Sequence, residues 1–395
     1  MFIMQTIREM TAAPPQDDEE QFLDEVAARH KKVLIRRART VRGVLPWRDP
    51  RNATTWRRAV QIVFVLINVY IAAAFYFWVR HFETSATGAP PVRPEGVEGW
   101  LPIAGLMNLK YALMTGTMPD VHAPAMLLLV AFLLTALLLK KSFCSWLCPV
   151  GTLSEALWRA GKRIFKKNLY LPRWLDIPLR SLKYILMAIF LYVVITMPVK
   201  GIEMFMMTPY GLVADVKMLN FFCYIGTTAL ITIVVLMLLS VVIPNFWCRY
   251  LCPYGALLGL LSMFSPAKIR RDADACIDCG KCAQACPARL PVDVKKQIRS
   301  AECTTCMSCV ESCPAQDALQ FALPPRKVIA INGDVPQIAR RWRRRKLPGA
   351  VMAIALTVIV GGIIVGARAT GHWQTPIPDR VYQQLIPQVQ SLGHP

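Results

Sequence analysis

The sequence predicts a mainly α-helical membrane protein, with about five transmembrane helices and a small α+β domain rich in cysteine. Three observations predict this class: five long apolar stretches, basic residues concentrated in alternate loops, and eight cysteines in two closely spaced runs. Of the 395 residues, 54% are hydrophobic, and the formal net charge is +21. That apolar content exceeds what an ordinary soluble enzyme carries, and so many charges exclude a chain buried wholly in lipid.

Residues 1–58 form a basic segment ahead of the first apolar stretch. Between residues 17 and 42, acidic side chains come first and basic ones last, with apolar residues at helical spacing. This pattern predicts an amphipathic helix on the membrane surface, and a solvated tail fits it equally well. Because the chain does not open with a basic region followed at once by an apolar core, we expect no cleaved signal peptide.

Five apolar stretches approach the length of about 20 residues that a helix needs to cross a bilayer. They cover residues 59–79, 123–139, 182–198, 225–243 and 347–367. A sixth candidate, residues 100–114, is interrupted by Pro102, Gly105, Asn108 and Lys110. We therefore predict an interfacial or partly re-entrant segment there.

Lysine and arginine alternate between rich and poor segments along the chain. The rich segments hold 12 in residues 1–58, 9 in 140–181 and 17 in 244–346, whereas the poor ones hold 3 in 80–122, 2 in 199–224 and 2 in 368–395. Because basic loops stay on the cytoplasmic side, we predict a multi-pass protein of the bacterial inner membrane with its N-terminus inside and its C-terminus outside. The basic run 340–346 then anchors the last helix, so no nucleic-acid partner is needed to explain the charge.

These patterns divide the chain into six predicted segments. They are a basic cytoplasmic N-terminal segment 1–58, a four-helix membrane domain 59–264, a cytoplasmic cysteine-rich domain 265–325, a basic linker 326–346, a fifth transmembrane helix 347–367 and a periplasmic tail 368–395. Membrane lipid is therefore one expected partner. Gly362 and Gly366 form a GxxxG pattern in the last helix, which weakly favours a homodimer.

The eight clustered cysteines form two runs of the pattern CxxCxxCxxxCP, at 276–287 and 303–314. In such a pair, three cysteines of each run bind one [4Fe–4S] cluster, and the fourth, ahead of proline, reaches the cluster of the other run. The predicted ligands of the first cluster are Cys276, Cys279, Cys282 and Cys313, and those of the second are Cys303, Cys306, Cys309 and Cys286. Zinc ribbons use two separated pairs of ligands, which fits this spacing poorly. We therefore predict a bacterial ferredoxin-like domain with two clusters, for which the direction of electron flow stays open.

A second cysteine pattern, CxxxCP, occurs twice, in FCSWLCPVG at 143–151 and WCRYLCPYG at 247–255. Each copy follows an apolar stretch, so we predict a duplicated membrane hairpin whose copies face each other across a pseudo-twofold axis. Proline favours the first helical position, which makes the preceding cysteine a helix N-cap. Nearby basic residues lead us to expect a lowered thiol pKa, with either redox-active thiols or metal ligands. The candidate residues are Cys144, Cys148, Cys248 and Cys252. Simple packing is the alternative, and a further cluster or another metal would require the four to converge.

Together these motifs resemble the membrane polyferredoxins, a family typified by NapH, the C-terminal half of NosR and the copper-handling CcoG proteins. The resemblance covers residues 59–325 and rests on the eight ferredoxin cysteines and the four CxxxCP cysteines. It implies electron transfer between the quinol pool or a cytoplasmic donor and a respiratory or assembly system. The chain departs from the family in its basic N-terminus, its fifth helix with a C-terminal tail, and its lack of a flavin-bearing periplasmic domain.

The leading functional hypothesis is a membrane-bound iron–sulfur electron-transfer protein that links the quinone pool or a cytoplasmic donor to a respiratory redox partner, as a quinol dehydrogenase subunit would. The alternative is an assembly factor that reduces or carries copper with the CxxxCP thiols. A redox sensor is a third hypothesis, resting on the basic N-terminus alone. A quinol site would need a proton acceptor, and His81, Asp120 and His122 lie near the outer surface, although such histidines are usually solvated. No histidine lies within a predicted span, so a bis-histidine haem is not expected.

Overall fold

The computed structural model describes residues 53–84, 88–166, 169–273, 275–315, 318–324 and 346–393. The predicted amphipathic N-terminal helix and almost all of the basic linker lie outside these residues. The described part is mainly α-helical, with one two-stranded sheet. Its α-helices are α1 (Ala53–Glu83), α2 (Pro102–Thr115), α3 (Ala123–Leu139), α4 (Phe143–Trp146), α5 (Pro149–Phe165), α6 (Arg173–Thr196), α7 (Val199–Met206), α8 (Pro209–Leu212), α9 (Ala214–Cys223), α10 (Thr227–Val242), α11 (Pro253–Leu261), α12 (Lys281–Gln284), α13 (Ser308–Glu311), α14 (Gly349–Ala369) and α15 (Asp379–Leu385). Its strands are β1 (Lys268–Arg271) and β2 (Leu319–Ala322).

Three helices of the described part are long and apolar enough to cross a membrane, namely α1, α6 and α14. Helix α10 has 16 residues and follows α9 at a bend of 80°, so the two qualify only as one broken span. Helix α3 is apolar throughout but has 17 residues. A helix therefore occupies each of the five predicted stretches, which confirms a mainly α-helical membrane protein. Helix α2 has 14 residues, too few to span a bilayer.

The helix bundle has a motif end, which carries residues 140–151 and 244–255, and a far end, which carries residues 88–122 and the tail from residue 370. Helix α14 packs against α1 and α3 between these ends. Their close contact begins at the motif end, where a Cβ added to Gly349 would lie 2.7 Å from the Cα of Ala53. Large apolar side chains cover the outward faces of the bundle, among them Leu66, Phe77, Ile185 and Val358. Such faces are stable against lipid tails, as expected of membrane helices.

The two CxxxCP copies fold as the proline rule predicts. Pro149 and Pro253 occupy the first turns of α5 and α11, and Cys148 and Cys252 are the N-cap residues. The Sγ atom of Cys252 accepts a hydrogen bond of 3.2 Å from the N–H of Gly255. The expectation that these cysteines are helix N-caps is therefore confirmed.

The cysteine-rich domain is closed by its short sheet. Strands β1 and β2 pair antiparallel, with Lys268 opposite Ala322 and Arg271 opposite Leu319, and both CxxCxxCxxxCP runs lie in the connection between them. One hydrophobic cluster joins Ile269 and Phe321 of this sheet to Phe132 of α3. The cysteine-rich domain and the membrane helices therefore share a core, which holds the two sets of cysteines close to one another.

Candidate functional site

The eight ferredoxin cysteines differ in exposure. Cys282, Cys286 and Cys309 are buried and Cys279 is exposed, while the other four are half-buried. The third cysteine of each run lies on a one-turn helix, Cys282 on α12 and Cys309 on α13. This arrangement leaves one thiol of the first predicted set, Cys279, nearest to solvent.

The chain brings the fourth cysteine of each run to the other run. Burial raises the pKa of the Cys286 thiol, and the charges of Cys306 and Cys303 raise it further. Cys286 therefore lies close to these two cysteines of the second run. All of the cysteines predicted for the second cluster line one small pocket: Cys286, Cys303, Cys306 and Cys309. Cys313 in turn interacts with the three cysteines that open the first run: Cys276, Cys279 and Cys282.

Matched left-handed turns shape the two runs. Asp278 and Thr305 hold equivalent positions and have φ angles of 50° and 56°, while Gly280 and Met307, also equivalent, have 66° and 58°. Alternating right- and left-handed backbone turns N–H groups toward one concave point, and such nests occur at many iron–sulfur sites. The residues present therefore fit an iron–sulfur cluster. Gly280 and, more weakly, Asp278 are residue types that favour such a turn, whereas Thr and Met rarely adopt positive φ.

The four CxxxCP cysteines converge on one cavity of about 1050 Å³ at the motif end. It is lined by Cys144, Cys148, Cys248 and Cys252, and also by Cys306 of the ferredoxin domain. Burial raises the pKa of Cys144 to about 12 and that of Cys148 to about 11. The expected lowering of the thiol pKa was therefore wrong for these two cysteines, because desolvation has the larger effect; at Cys144 it outweighs the charge of nearby Lys141.

The first CxxxCP hairpin binds the second ferredoxin run directly through hydrogen bonds. Ser145 Oγ donates to the carbonyl oxygen of Thr304 at 2.5 Å, and Trp146 Nε1 donates to that of Thr305 at 3.1 Å. Lys183 of α6 binds both carboxylate oxygens of Glu302 at 2.7 Å. These contacts fix the loop that carries Cys303 and Cys306 against the membrane helices.

The second hairpin makes the corresponding contact with the first run. Arg249 Nη1 donates to the carbonyl oxygen of Pro287, which follows Cys286, at 3.4 Å. Asp176 of α6 holds that guanidinium through two hydrogen bonds of 2.9 Å and also accepts one of 2.6 Å from Tyr250. Each CxxxCP hairpin therefore supports one ferredoxin run, a relationship that the sequence spacing does not reveal.

A buried ionic network occupies the far end. Arg93 pairs with Glu98 at 2.8 Å, with Asp215 at 2.7 Å and also with Glu95. His122 Nδ1 lies 3.1 Å from Glu98, and its Nε2 lies 2.8 Å from the carbonyl oxygen of Gly211. His122 is fully buried, so the expectation of a solvated histidine was wrong. His122 instead joins the start of α3 to α8, which contains Gly211.

Within the described residues, no group of three or more His, Cys, Asp or Glu side chains is arranged to hold a single metal ion. A [4Fe–4S] cluster spreads four thiolates over four irons, so its ligands stand farther apart than those of one ion. The absence of a single-ion site among the described residues is therefore compatible with cluster ligation by the cysteines.

Comparison with known protein families agrees with the cysteine geometry. A family model described as a 4Fe-4S binding domain matches residues 121–168 and again residues 225–272, the two CxxxCP hairpins. A second model, described as a 4Fe-4S dicluster domain, matches residues 268–314. No solved structure matches the chain significantly.

Among curated proteins, YccM of Escherichia coli, which is named for electron transport, is 52% identical over 359 residues, covering 91% of this chain and 97% of that protein. The chain belongs to the membrane polyferredoxins. The ferredoxin-type protein NapH of Escherichia coli is 27% identical over 46% of this chain and 63% of NapH. The methylamine utilization ferredoxin-type protein MauN of Paracoccus denitrificans is 29% identical over 37% of the chain and 48% of MauN. This polyferredoxin is thus an iron–sulfur electron-transport protein of the membrane.

Proposed function

We propose that this polyferredoxin exchanges electrons between the quinone pool and a redox partner on the cytoplasmic side of the bacterial inner membrane. One observation carries the proposal. The cavity that Cys144, Cys148, Cys248 and Cys252 line reaches between the membrane helices and also touches Cys306 of the ferredoxin domain. The same cavity is therefore next to the membrane interior, where quinone dissolves, and to the cysteine-rich domain.

The ferredoxin domain holds two clusters in this proposal. The ligands are Cys276, Cys279, Cys282 and Cys313 for the first and Cys303, Cys306, Cys309 and Cys286 for the second. The pocket shared by the second set and the electrostatic contact of Cys313 with the first run support this crossed assignment. When bound, each cluster accepts and releases one electron at a time.

The four CxxxCP cysteines hold a further iron–sulfur cluster. Their convergence on one cavity supports this, as does the match of a 4Fe-4S binding domain to both hairpins. Backbone N–H groups also lie beside these cysteines: those of Val150 and Gly151 interact with the thiol of Cys148. Hydrogen bonds of this kind tune cluster potentials.

The orientation rests on the distribution of basic residues. The motif end is flanked by the lysine- and arginine-rich segments, so it faces the cytoplasm, and the far end faces the periplasm. The half-buried or exposed cysteines of the first run are then accessible to a soluble redox partner. A homodimer through α14 stays compatible, because Gly362 and Gly366 have nothing within 4 Å of an added Cβ.

Copper reduction by free CxxxCP thiols has less support. Thiol exchange and copper capture require an accessible thiolate, and burial raises the pKa of Cys144 and Cys148. The same burial suits a resident cofactor whose ligands are deprotonated when it binds.

Anaerobic purification followed by electron paramagnetic resonance (EPR) tests the proposed function. Protein reduced with dithionite should show cluster signals, and Cys306→Ser should remove the signal of one cluster. The matched control is Cys223→Ser, which changes an exposed cysteine outside all motifs and should leave the spectrum unchanged. A colourless wild-type protein, or one loaded with zinc, would refute the proposal.

A further inference from the structure

The cavity at the motif end is much longer than a cluster site requires. It continues between α1, α3 and α14, and its wall includes Phe64 and Ala74 of α1, Leu128 of α3 and Ile364 of α14. From residue 64 to residue 74, an α-helix rises about 15 Å. Most of this length is apolar, as in sites that bind small lipophilic molecules.

The cavity has an opening on the lipid-facing side of α1. Ile67 and Tyr70 line it and yet are 44% and 71% exposed on the surface of α1, in the middle of a membrane span. Trp100, which is 42% exposed, lines the same side and donates a hydrogen bond of 3.1 Å to Asn68. A molecule dissolved in the bilayer can therefore enter between these side chains without crossing water.

Two chemically different groups lie at the two ends of this cavity. The CxxxCP cysteines lie at the first end, at the level of Gln61 on α1. The side-chain amide of Gln61 donates a hydrogen bond of 2.9 Å to the carbonyl oxygen of Ser145, within the first CxxxCP motif. Arg93 and Glu95 lie at the other end: the Arg93 guanidinium lies over the Trp78 ring, and Gly96, next to Glu95, packs on Ile71 of α1. Ten residues of helix separate Gln61 from Ile71, which is about 15 Å. One extended molecule can contact both ends.

Glu95 is the carboxylate that the far-end network leaves facing the cavity. Glu98 and Asp215 also bind Arg93, but both side chains are fully buried, and Glu98 is held further by Thr375 at 2.9 Å. Glu95 lines the cavity, has Arg93 as its ion-pair partner and is 11% exposed. It can therefore reach both a molecule in the cavity and the solvent.

We propose that this cavity is the quinone-binding site and that Glu95 exchanges protons with the bound quinone head group. The inference rests on the proposed function, which supplies the electrons. In the direction of quinone reduction, bound and previously reduced [4Fe–4S] clusters would supply two electrons, one at a time, and two O–H bonds would form at the carbonyl oxygens. Glu95 gives up one proton at each step and recovers it from solvent, so quinone, two electrons and two protons become quinol. In the reverse direction the Glu95 carboxylate accepts the protons.

The electrostatics of Glu95 suit this role. Burial raises the pKa of Glu95 to about 7, against the opposing charge of Arg93 and with a further upward contribution from Glu98 and Asp215. Those three groups are the charged side chains that face it across the network, and Arg368 of α14 lines the same cavity. A carboxylate that titrates near neutral pH can both take and return a proton during turnover.

Stopped-flow reoxidation tests the inference. Full-length protein is reduced with dithionite, freed of excess reductant and mixed anaerobically with duroquinone, while cluster absorbance is followed. Glu95→Gln should slow reoxidation about 100-fold, the lower range for loss of a proton-transferring group. The wild-type rate should fall as pH rises through about 7, because protonated Glu95 is the donor, and Glu95→Gln should lose that dependence. Glu95→Asp should retain it, and the control Glu203→Gln, an exposed carboxylate of α7, should match wild type.

A binding measurement that does not depend on turnover completes the test. A photoreactive azidoquinone in lipid vesicles should label peptides that contain residues 64–74 and 92–100, and excess duroquinone should suppress the labelling. Equal reoxidation rates in Glu95→Gln and wild type, or labelling spread evenly over the lipid-facing helices, would overturn the inference. Wild-type clusters that give normal EPR signals but ignore quinone would instead refute the quinone link of the proposed function.

Discussion

Trp146 donates its indole N–H to the carbonyl oxygen of Thr305 across 3.1 Å, and this hydrogen bond ties the first CxxxCP hairpin to the second ferredoxin run. Trp146 is fully buried, and Thr305 is one of the residues with positive φ between the cysteines of that run. The contact therefore positions a cluster-binding turn through a membrane hairpin. It makes the two cysteine systems one structural unit.

Trp146→Phe should destabilise the docking of the ferredoxin domain. The change leaves a buried carbonyl oxygen without its donor, which costs about 1–3 kcal/mol. Loss of cluster absorbance on heating or in urea measures the effect. Trp174→Phe is the matched control, because Trp174 is 75% exposed on α6, and its effect should stay within about 0.5 kcal/mol. Equal effects of the two substitutions would show that the hydrogen bond to Thr305 contributes nothing.

Changing Cys148 and Cys252 together to serine should remove one cluster and leave the other two. If the CxxxCP cysteines hold a [4Fe–4S] cluster, iron should fall from about twelve to about eight atoms per chain. Iron and acid-labile sulfide assays give the count, and EPR shows whether the ferredoxin signals persist. Cys223→Ser should keep the full iron content. An unchanged count in the double variant would exclude a cluster at this site.

Ala74→Phe should block the cavity. Ala74 lines it from α1, so the added ring occupies space that we assign to the quinone. Reoxidation of the reduced clusters by duroquinone should slow at least about tenfold, which corresponds to about 1.4 kcal/mol. Reduction by dithionite should be unaffected. The control is Ala73→Phe, since Ala73 is exposed on the lipid-facing side of the same helix. If both variants behave like wild type, quinone does not use this cavity.

His122→Ala should destabilise the far end most at mildly acidic pH. Burial alone lowers the pKa of His122, but the Glu98 carboxylate outweighs it and raises that pKa above the ordinary 6.5. Burial alone raises the pKa of Glu98, but His122 and Arg93 lower it from 4.5 to about 2. The His122 contribution is therefore complete below pH 6.5 and is lost as pH rises through its higher folded value. The Glu98 contribution is complete above pH 4.5 and is lost as pH falls toward 2.

The pair thus stabilises the protein fully between about pH 4.5 and 6.5. Removing one partner of a buried ion pair costs about 3 kcal/mol or more. Thermal midpoints in detergent should differ between His122→Ala and wild type more at pH 5.5 than at pH 8.5. His81→Ala, at the same end but outside the network, should shift the midpoint little and equally at both pH values. A deficit in His122→Ala that grows at high pH would contradict the assigned ion pair.

Sequence patterns anticipated the features that depend on local composition. Apolar length located a helix in each of the five predicted stretches, and the CP pairs located the starts of α5 and α11, because proline at a helix start acts within one turn. The bend of 80° between α9 and α10 was missed, since a break after Cys223 depends on how the short far-end helices pack. The left-handed Met307 was missed for a related reason: only the surrounding fold imposes that angle.

In the functional site, too, the sequence predicts the local motifs but not the contacts that the fold creates between them. Spacing identified twelve motif cysteines, but it did not reveal that Cys306 lines the same cavity as Cys144. The thiol pKa was judged from nearby basic residues in the sequence, whereas desolvation, which depends on the folded structure, has the opposite and larger effect. The sequence does not single out Glu95, because its role depends on the cavity that it lines and on its ion pair with Arg93, and both arise only in the folded structure.

Rapid mixing of reduced wild-type protein with duroquinone, followed by EPR of the frozen samples, tests most directly whether membrane quinone and ferredoxin clusters exchange electrons in this protein. We predict that the signals of the reduced clusters disappear and that one quinol forms for every two electrons lost. Clusters that stay reduced in the presence of excess quinone would contradict the account.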